Sequence, residues 1–312
     1  MSETIFDGWI YDHGQYTVAF ESLSHEIERV LSGSPPIVYP LLGDSRTGKS
    51  AVLADISARF ESRVSASGHR QVLGVPMPSA ASNEALAVSI IQAILGNIRV
   101  KGKTYQILNQ ARETMRAAGV VVLMIDEANH LVEKRSTQRA QSKENRQTAD
   151  WIKELGDRSG ISVVLAGLSH VSRLYSDNDQ LENRGLTGVT MYPYAWSNDN
   201  DRLEFENTMH AGLAHMQANG WTLDISTDRV TRVAYLGSGG YIGKTRDFLV
   251  RIEQLGIKNK LLDSKLVGRS YRDKYKIDSL GDPLQLKSIS DVLLNSAHQN
   301  ALQRAKSGGR GH

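Results

Sequence analysis

Cysteine is absent from all 312 residues, which excludes disulfides and thiolate metal centres together. Long apolar runs are absent as well, since no stretch approaches the roughly 20 residues that a membrane-spanning helix requires. The opening residues Met1-Ser2-Glu3-Thr4 lack the basic and apolar regions of a secretory signal. The expectation is a cytoplasmic protein without membrane association. The nine His residues show neither HxxH nor HExxH spacing, so they read as surface or core residues. A strong excess of one charge is also lacking. The formal net charge of +3 is too small to argue for a nucleic-acid partner, and the distribution of cations matters more than their sum. What is present is length enough for one large α/β domain and a smaller one.

One loop carries most of the chemistry. Gly43-Asp44-Ser45-Arg46-Thr47-Gly48-Lys49-Ser50 fits G-x-x-x-x-G-K-[ST], the Walker A pattern. In such a turn the backbone N–H groups wrap nucleotide phosphates, the Lys reaches the outer phosphates, and the last hydroxyl holds Mg²⁺. Its context agrees. Ile37, Val38, Tyr39, Leu41 and Leu42 form an apolar run interrupted by Pro40, and Val52, Leu53, Ile56 and Phe60 follow at helical spacing. Strand, Gly-rich turn and helix is the order that aims a helix N-terminus at phosphates. A chance Gly/Lys/Ser cluster in a surface loop would need none of this context.

A second element supplies acids. Residues 120–125 are apolar without alternation and end in Asp126-Glu127, as expected of a parallel strand covered on both faces. Ligands bind at the carboxyl edge of such sheets. Asp126 is therefore expected beside Mg²⁺, with Glu127 placed to polarise an attacking water. The plainer reading is a strand exit bearing two acids. With Walker A present, the Walker B reading implies hydrolysis of ATP, and Mg²⁺ is the only metal implied.

The rest of the chain sets the organisation. Residues 1–35 form an N-terminal helical segment in which Phe20, Leu23, Ile27, Val30 and Leu31 share a face. Residues 36–196 alternate strand and helix: strands at 72–77 and 161–167, a helix at about 83–95 capped by Ser82 or Asn83, and one carrying Tyr105, Leu108, Ala111 and Met115. Residues 133–148 are polar and lead into a helix around Trp151. After Tyr194 the strand signal disappears, and residues 197–257 read as helices only. Residues 258–312 are basic, with a helix through Ile289, Val292, Leu293 and Ala297 and a disordered end from Ser307. The fold class is α/β: a P-loop core with a parallel sheet, followed by a smaller α-helical lid.

This order of motifs resembles the AAA+ ATPases, and within them the TniB/TnsC transposition regulators, with MuB a more distant relative. The resemblance rests on Trp9-Ile10-Tyr11, the phosphate loop, Met124 to Leu131, the run 177–184 (DNDQLENR) and Gly240-Tyr241-Ile242-Gly243-Lys244. It covers roughly residues 9–256. Two departures stand out: Gly185 replaces the usual Phe after the run, and the segment following Walker B is long. The resemblance implies a sensor I role for Ser169 or His170, and an arginine finger at Arg184 that reaches a neighbouring subunit's nucleotide, with Arg173 next in line. It implies sensor II at Lys244 or Arg246. The connector Arg99, Lys101, Lys103 and Thr104 corresponds to the region that tracks a DNA backbone, against the plain reading of a basic turn. Arg135, Arg139 and Lys143 would share a helical face, but Glu133 and Glu144 dilute it, which favours a solvated surface.

The resemblance also implies a function: an ATP-dependent regulator that assembles as a ring or helical filament on double-stranded DNA, recruits a transposase, and disassembles on hydrolysis. A TniQ-like target selector is a further implied partner. The rivals are a replication initiator or helicase loader, a P-loop small-molecule kinase, and an inert scaffold. The intact Lys49, Ser50, Asp126 and Glu127 weigh against the scaffold.

Overall fold

The computed structural model describes residues 4–9, 11–61, 71–78, 82–132, 138–176, 185–275, 283 and 288–308. The chain divides into two compact units. One comprises Tyr16–Ser45 and Lys49–Met191; the other comprises Met1–Gln15, Arg46–Gly48 and Tyr192–His312. Among the described residues no helix is long and apolar enough to cross a membrane.

The first unit is built on a five-stranded parallel sheet. Its strands are β1 (Val38–Gly43), β2 (Val72–Pro76), β3 (Val122–Asp126), β4 (Ser162–Gly167) and β5 (Val189–Met191), in the order β2-β3-β4-β1-β5. Helices flank it: α1 (Gly14–Leu31), α2 (Lys49–Glu61), α3 (Asn83–Leu95), α4 (Thr104–Ala117), α5 (Gln138–Ser159) and the short α6 (Arg173–Ser176). The side chains of β3 alternate between two cores. Leu123 and Ile125 enter the core built with α3, α4 and α5, while Val122 and Met124 enter the one built with α1 and α2. That explains the unbroken apolar run, because a strand covered on both faces has no polar face to show. Each fully buried Leu, Ile or Val contributes about 1.5–3 kcal/mol.

Pro40 does not interrupt β1. Val38 O accepts from Leu186 N at 3.0 Å, so by strand alternation Pro40 faces the β5 side. Pairing with β5 begins only at Leu41 opposite Val189, and the missing N–H of Pro40 falls before that ladder. Gly188 is pressed against it, since a Cβ there would sit 2.1 Å from Pro40 O. The helix around Trp151 starts at Gln138, so most of the polar stretch 133–148 belongs to it.

The second unit contains α7 (Asp199–Ala218), α8 (Thr227–Ser238), α9 (Ile242–Gly256), α10 (Ser264–Lys274) and α11 (Asp291–Gly308). It is not made of helices only. Two short strands, β6 (Thr222–Leu223) and β7 (Leu261–Leu262), pair in parallel. Two residues per strand are too few to leave a period-2 signature. Ser307 and Gly308 are the last residues of α11. The core is aromatic: Tyr235 packs edge-on against Trp196 at 4.7 Å and against Phe205 at 4.8 Å. The Tyr235 hydroxyl donates to Tyr194 O at 2.7 Å and accepts from Trp196 N at 2.7 Å, and burial pushes its phenol pKa upward. The N-terminal segment belongs here too. Phe6 is fully buried, Ile5 N donates to Glu253 Oε1 at 2.9 Å, and Trp9 stacks on His215.

Candidate nucleotide site

The phosphate loop leaves β1 at Gly43 and enters α2 at Lys49. Gly43 and Gly48 have φ of 148° and 109°, conformations that L side chains rarely adopt, which accounts for both glycines of the motif. Arg46 is left-handed as well, at φ 71°. Lys49 is only 8% exposed, and its ammonium donates to Gly43 O at 2.8 Å and Asp44 O at 2.7 Å, closing the loop on itself. Burial lowers its pKa to about 8, against the opposing pull of Asp126, Asp44 and Glu127. Thr47 is buried, while Ser45 and Ser50 are exposed.

The sheet brings the acids to the same edge. β4 lies between β1 and β3, with Leu42 opposite Gly167 and Ile125 opposite Leu165, so Gly43, Asp126 and the exit of β4 finish together. Asp126 Oδ1 accepts from Glu127 N at 2.8 Å, which turns the chain so that the Glu127 side chain is largely exposed. Glu127 has φ 54°. Left-handed conformation at a non-glycine residue costs on the order of 1–2 kcal/mol. Of three such residues among those described, two lie in the nucleotide motifs, the third being Lys260. His130 Nε2 stands 3.5 Å from Glu127. The hydroxyl of Ser50 and the carboxylate of Asp126 are hard oxygen donors of the kind Mg²⁺ takes, so the residues fit that ion.

Ser169 opens a 3₁₀ turn directly after β4 and is exposed; His170 is half-buried. Sequence reasoning missed Asn129, which presses on the same strand end. A Cβ on Gly167 would lie 2.9 Å from Asn129 N, and a glycine closing a buried strand was the available signal. Arg173 is exposed at the start of α6. Arg184 lies outside the described residues, as do the rest of the run 177–184, Ile10 and Arg135. Arg139 and Lys143 fall within α5, but their side chains are outside the described set.

Three loop residues, Arg46–Gly48, cluster with the helical unit, and that unit explains the Gly240 to Gly243 signature. Gly240, at φ 90°, pairs through its carbonyl with Tyr194 N at 3.0 Å, and a Cβ there would lie 2.0 Å from Tyr194 O. Gly243 N donates to Arg46 O at 2.9 Å, and a Cβ on Gly243 would meet that oxygen at 2.9 Å. Asp247, not singled out from the sequence, stands 3.1 Å from Arg46 Nη2 and 3.6 Å from Lys274 Nζ. The two sensor II candidates have other partners. Arg246 Nη2 donates to Phe6 O at 2.7 Å and lies 3.9 Å from Asp7, whereas Lys244 Nζ sits 4.3 Å over the Tyr241 ring.

The basic connector is solvent-facing: Arg99, Lys101, Lys103 and Thr104 are all exposed. Thr104 is the first residue of α4, and its hydroxyl donates to Glu84 Oε2 at 2.5 Å. Lys103 N donates to Gln106 Oε1 at 2.9 Å, which fixes the entry to the helix. Lys103 and Thr104 border a groove of about 910 Å³ floored by Leu108, Leu131 and Trp151.

The family profile described as "Bacterial TniB protein" matches residues 6–188. No curated protein matches the chain. Several solved structures share its fold. Cdc6p from Pyrobaculum aerophilum aligns at a TM-score of 0.63 and 16% identity, covering 90% of this chain and 73% of that one. The Aeropyrum pernix ORC2 protein, in ADPNP and ADP complexes, aligns at 0.62 and 12%, covering 88% and 72%. The Aeropyrum pernix ORC1 protein, in complex with DNA, aligns at 0.61 and 17%, covering 82% of this chain and 64% of its own length. The shared architecture is the AAA+ fold, a parallel five-stranded sheet with helices and a helical C-terminal region.

Proposed function

Since the chain belongs to the bacterial TniB family, we propose that it is an ATP-hydrolysing, DNA-binding regulator of transposition. The observation that carries this reading is the convergence of a buried Lys49, Asp126 and the strained Glu127 at one sheet edge. Backbone amides of residues 43–50 and the Lys49 ammonium hold the phosphates of ATP. Ser50 and Asp126 hold Mg²⁺, which neutralises phosphate charge when bound. Glu127 orients the attacking water, and Ser169 or His170 reads the terminal phosphate. Arg184 reaches a neighbouring subunit's nucleotide, so that hydrolysis accompanies assembly.

Subunits assemble as a ring or filament on duplex DNA through Arg99, Lys101, Lys103 and Thr104. Contacts of this kind act on phosphates and leave base sequence unread, which suits a platform for target sites. The assembly recruits a transposase and, in some systems, a TniQ-like selector, then dissolves on hydrolysis. The structural neighbours bring a second reading to bear. They are ORC and Cdc6 proteins, but family membership favours transposition over the rival reading.

Phosphate release measured with and without duplex DNA, beside a panel of small-molecule acceptors, tests the proposal. DNA-stimulated release that disappears in Glu127→Gln is the expected result. Phosphate transfer to a small molecule, without any response to DNA, would replace the proposal with a kinase.

A further inference from the structure

The N-terminal segment is held on the helical unit through its backbone. Residues 4–9 first form a turn of their own: Thr4 N donates to Asp7 Oδ2 at 2.7 Å, Asp7 N to Thr4 O at 3.0 Å, and Trp9 N to Phe6 O at 3.2 Å. Three side chains of α7 and α9 then take the peptide groups at its centre. Glu253 Oε1 accepts from Ile5 N at 2.9 Å, His215 Nε2 donates to Ile5 O at 2.8 Å, and Arg246 Nη2 donates to Phe6 O at 2.7 Å. Phe6 is fully buried, and Trp9 lies on His215. Gly212 leaves room for this packing, since a Cβ there would be 3.6 Å from the Trp9 ring and 2.6 Å from Leu249.

Core packing does not account for Glu253. It is 2% exposed, and its Oε2 has no hydrogen-bond partner among the described residues. A buried polar atom left unpaired is costly, and an apolar side chain at this position would avoid the cost. What Glu253 supplies instead is an acceptor for Ile5 N. The helix that carries it also meets the phosphate loop. Gly243 N donates to Arg46 O at 2.9 Å, and Asp247 stands 3.1 Å from Arg46 Nη2. Arg246 and Asp247 are neighbours on α9, one engaged with the N-terminal segment and the other with the loop. Gly243 and Glu253 lie about 15 Å apart along the axis, at 1.5 Å per residue. A helix is a rigid element, so a shift at one of these contacts is felt at the other.

We propose that residues 4–9 are an internal effector of the nucleotide site. Seated, they hold α9 where Gly243 and Asp247 fix Arg46, and so raise the affinity for ATP. Phe6 and Glu253 are positioning residues in this scheme. It rests on the reading that residues 43–50 bind ATP. Coupling between two sites is reciprocal, so bound ATP tightens the seating of the segment by the same factor.

Hydrogen exchange of residues 4–9 in the full wild-type chain, read by mass spectrometry with and without a saturating, slowly hydrolysed ATP analogue, is the test. Nucleotide should slow exchange by about fivefold or more, the lower end of ordinary coupling. Glu253→Met removes the acceptor for Ile5 N, and its affinity for the analogue should fall by a matching factor. Glu253→Gln keeps a carbonyl oxygen and should retain most of the affinity. A merely structural Glu253 would lower the melting temperature of the Met variant while nucleotide left wild-type exchange at residues 4–9 unchanged. If the analogue binds and that exchange does not change, the proposal fails while the ATP reading stands. If the wild type binds no nucleotide, both fall. The wild-type exchange decides the matter even where Glu253→Met fails to fold.

Discussion

The amide of Gly243 donates to the carbonyl of Arg46 at 2.9 Å, joining the first turn of α9 to the left-handed residue of the phosphate loop. That bond gives a backbone reason for the glycine. Gly243→Ala places a methyl 2.9 Å from the same oxygen, and neither partner is a flexible side chain. The substitution should cost about 1–3 kcal/mol, as overpacking does. Thermal unfolding and nucleotide titration are the readouts, and both melting temperature and ATP affinity should fall. The Arg46–Asp247 ion pair is half exposed, so Asp247→Asn should change stability by no more than about 1 kcal/mol.

Burial sets the pH dependence of Lys49. Its pKa in the free protein is lowered to about 8, and an anionic phosphate favours its charged form. Binding therefore takes up a proton wherever Lys49 is neutral in the free protein, which is above about pH 8. Affinity for ATP should be flat below that point and fall by up to about tenfold per pH unit above it. Lys49→Arg, whose guanidinium stays charged, should bind less well but show no such decline. Calorimetric titration between pH 7 and 9.5 distinguishes the two profiles.

Joint substitution of Arg99, Lys101 and Lys103 by Ala should weaken duplex binding similarly for unrelated sequences. The salt slope should become shallower by about 0.9 for each phosphate contact removed. ATP binding should survive, because the connector between α3 and α4 lies in a different segment from both Walker motifs. Unchanged affinity and slope would move the DNA surface elsewhere.

Much of this was legible in the sequence because the relevant signals are local. The phosphate loop requires glycines at fixed offsets. β3 and β4 announce themselves by unbroken apolar runs, and Ser82 caps α3 as expected, accepting from Ala85 N at 3.0 Å. What was not legible depends on partners distant in sequence. Pro40 reads as a strand breaker until its neighbour β5 is known to start one residue too late to need its N–H. Asp247 is one acid in a helix until Arg46, two hundred residues earlier, is found beside it. Arg246 invites assignment to phosphate sensing, yet its guanidinium is engaged with Phe6 O. The start of α5 was hidden because its first turns carry no apolar stripe.

Arg184→Ala should bind ATP normally as a monomer and lose the acceleration of hydrolysis that accompanies assembly. Mixed with Lys49→Ala protein on DNA, it should regain activity, because one subunit supplies the nucleotide site and the other the finger. Phosphate release from the mixture, compared with each variant alone, is the measurement. An Arg184→Ala protein that hydrolyses ATP at the normal rate when assembled would assign the finger to another residue, with Arg173 first.

Electron microscopy of Glu127→Gln protein with ATP and duplex DNA tests the central claim most directly. Loss of the water-orienting carboxylate should leave ATP bound and uncleaved, so long-lived rings or helical filaments should decorate the duplex. They should be absent without ATP, without DNA, or when Lys49→Ala is combined with Glu127→Gln. Wild-type assemblies should dissolve as ATP is consumed while those of Glu127→Gln persist. Bare duplex in every condition, or decoration indifferent to ATP, would contradict the account of a nucleotide-gated DNA assembly.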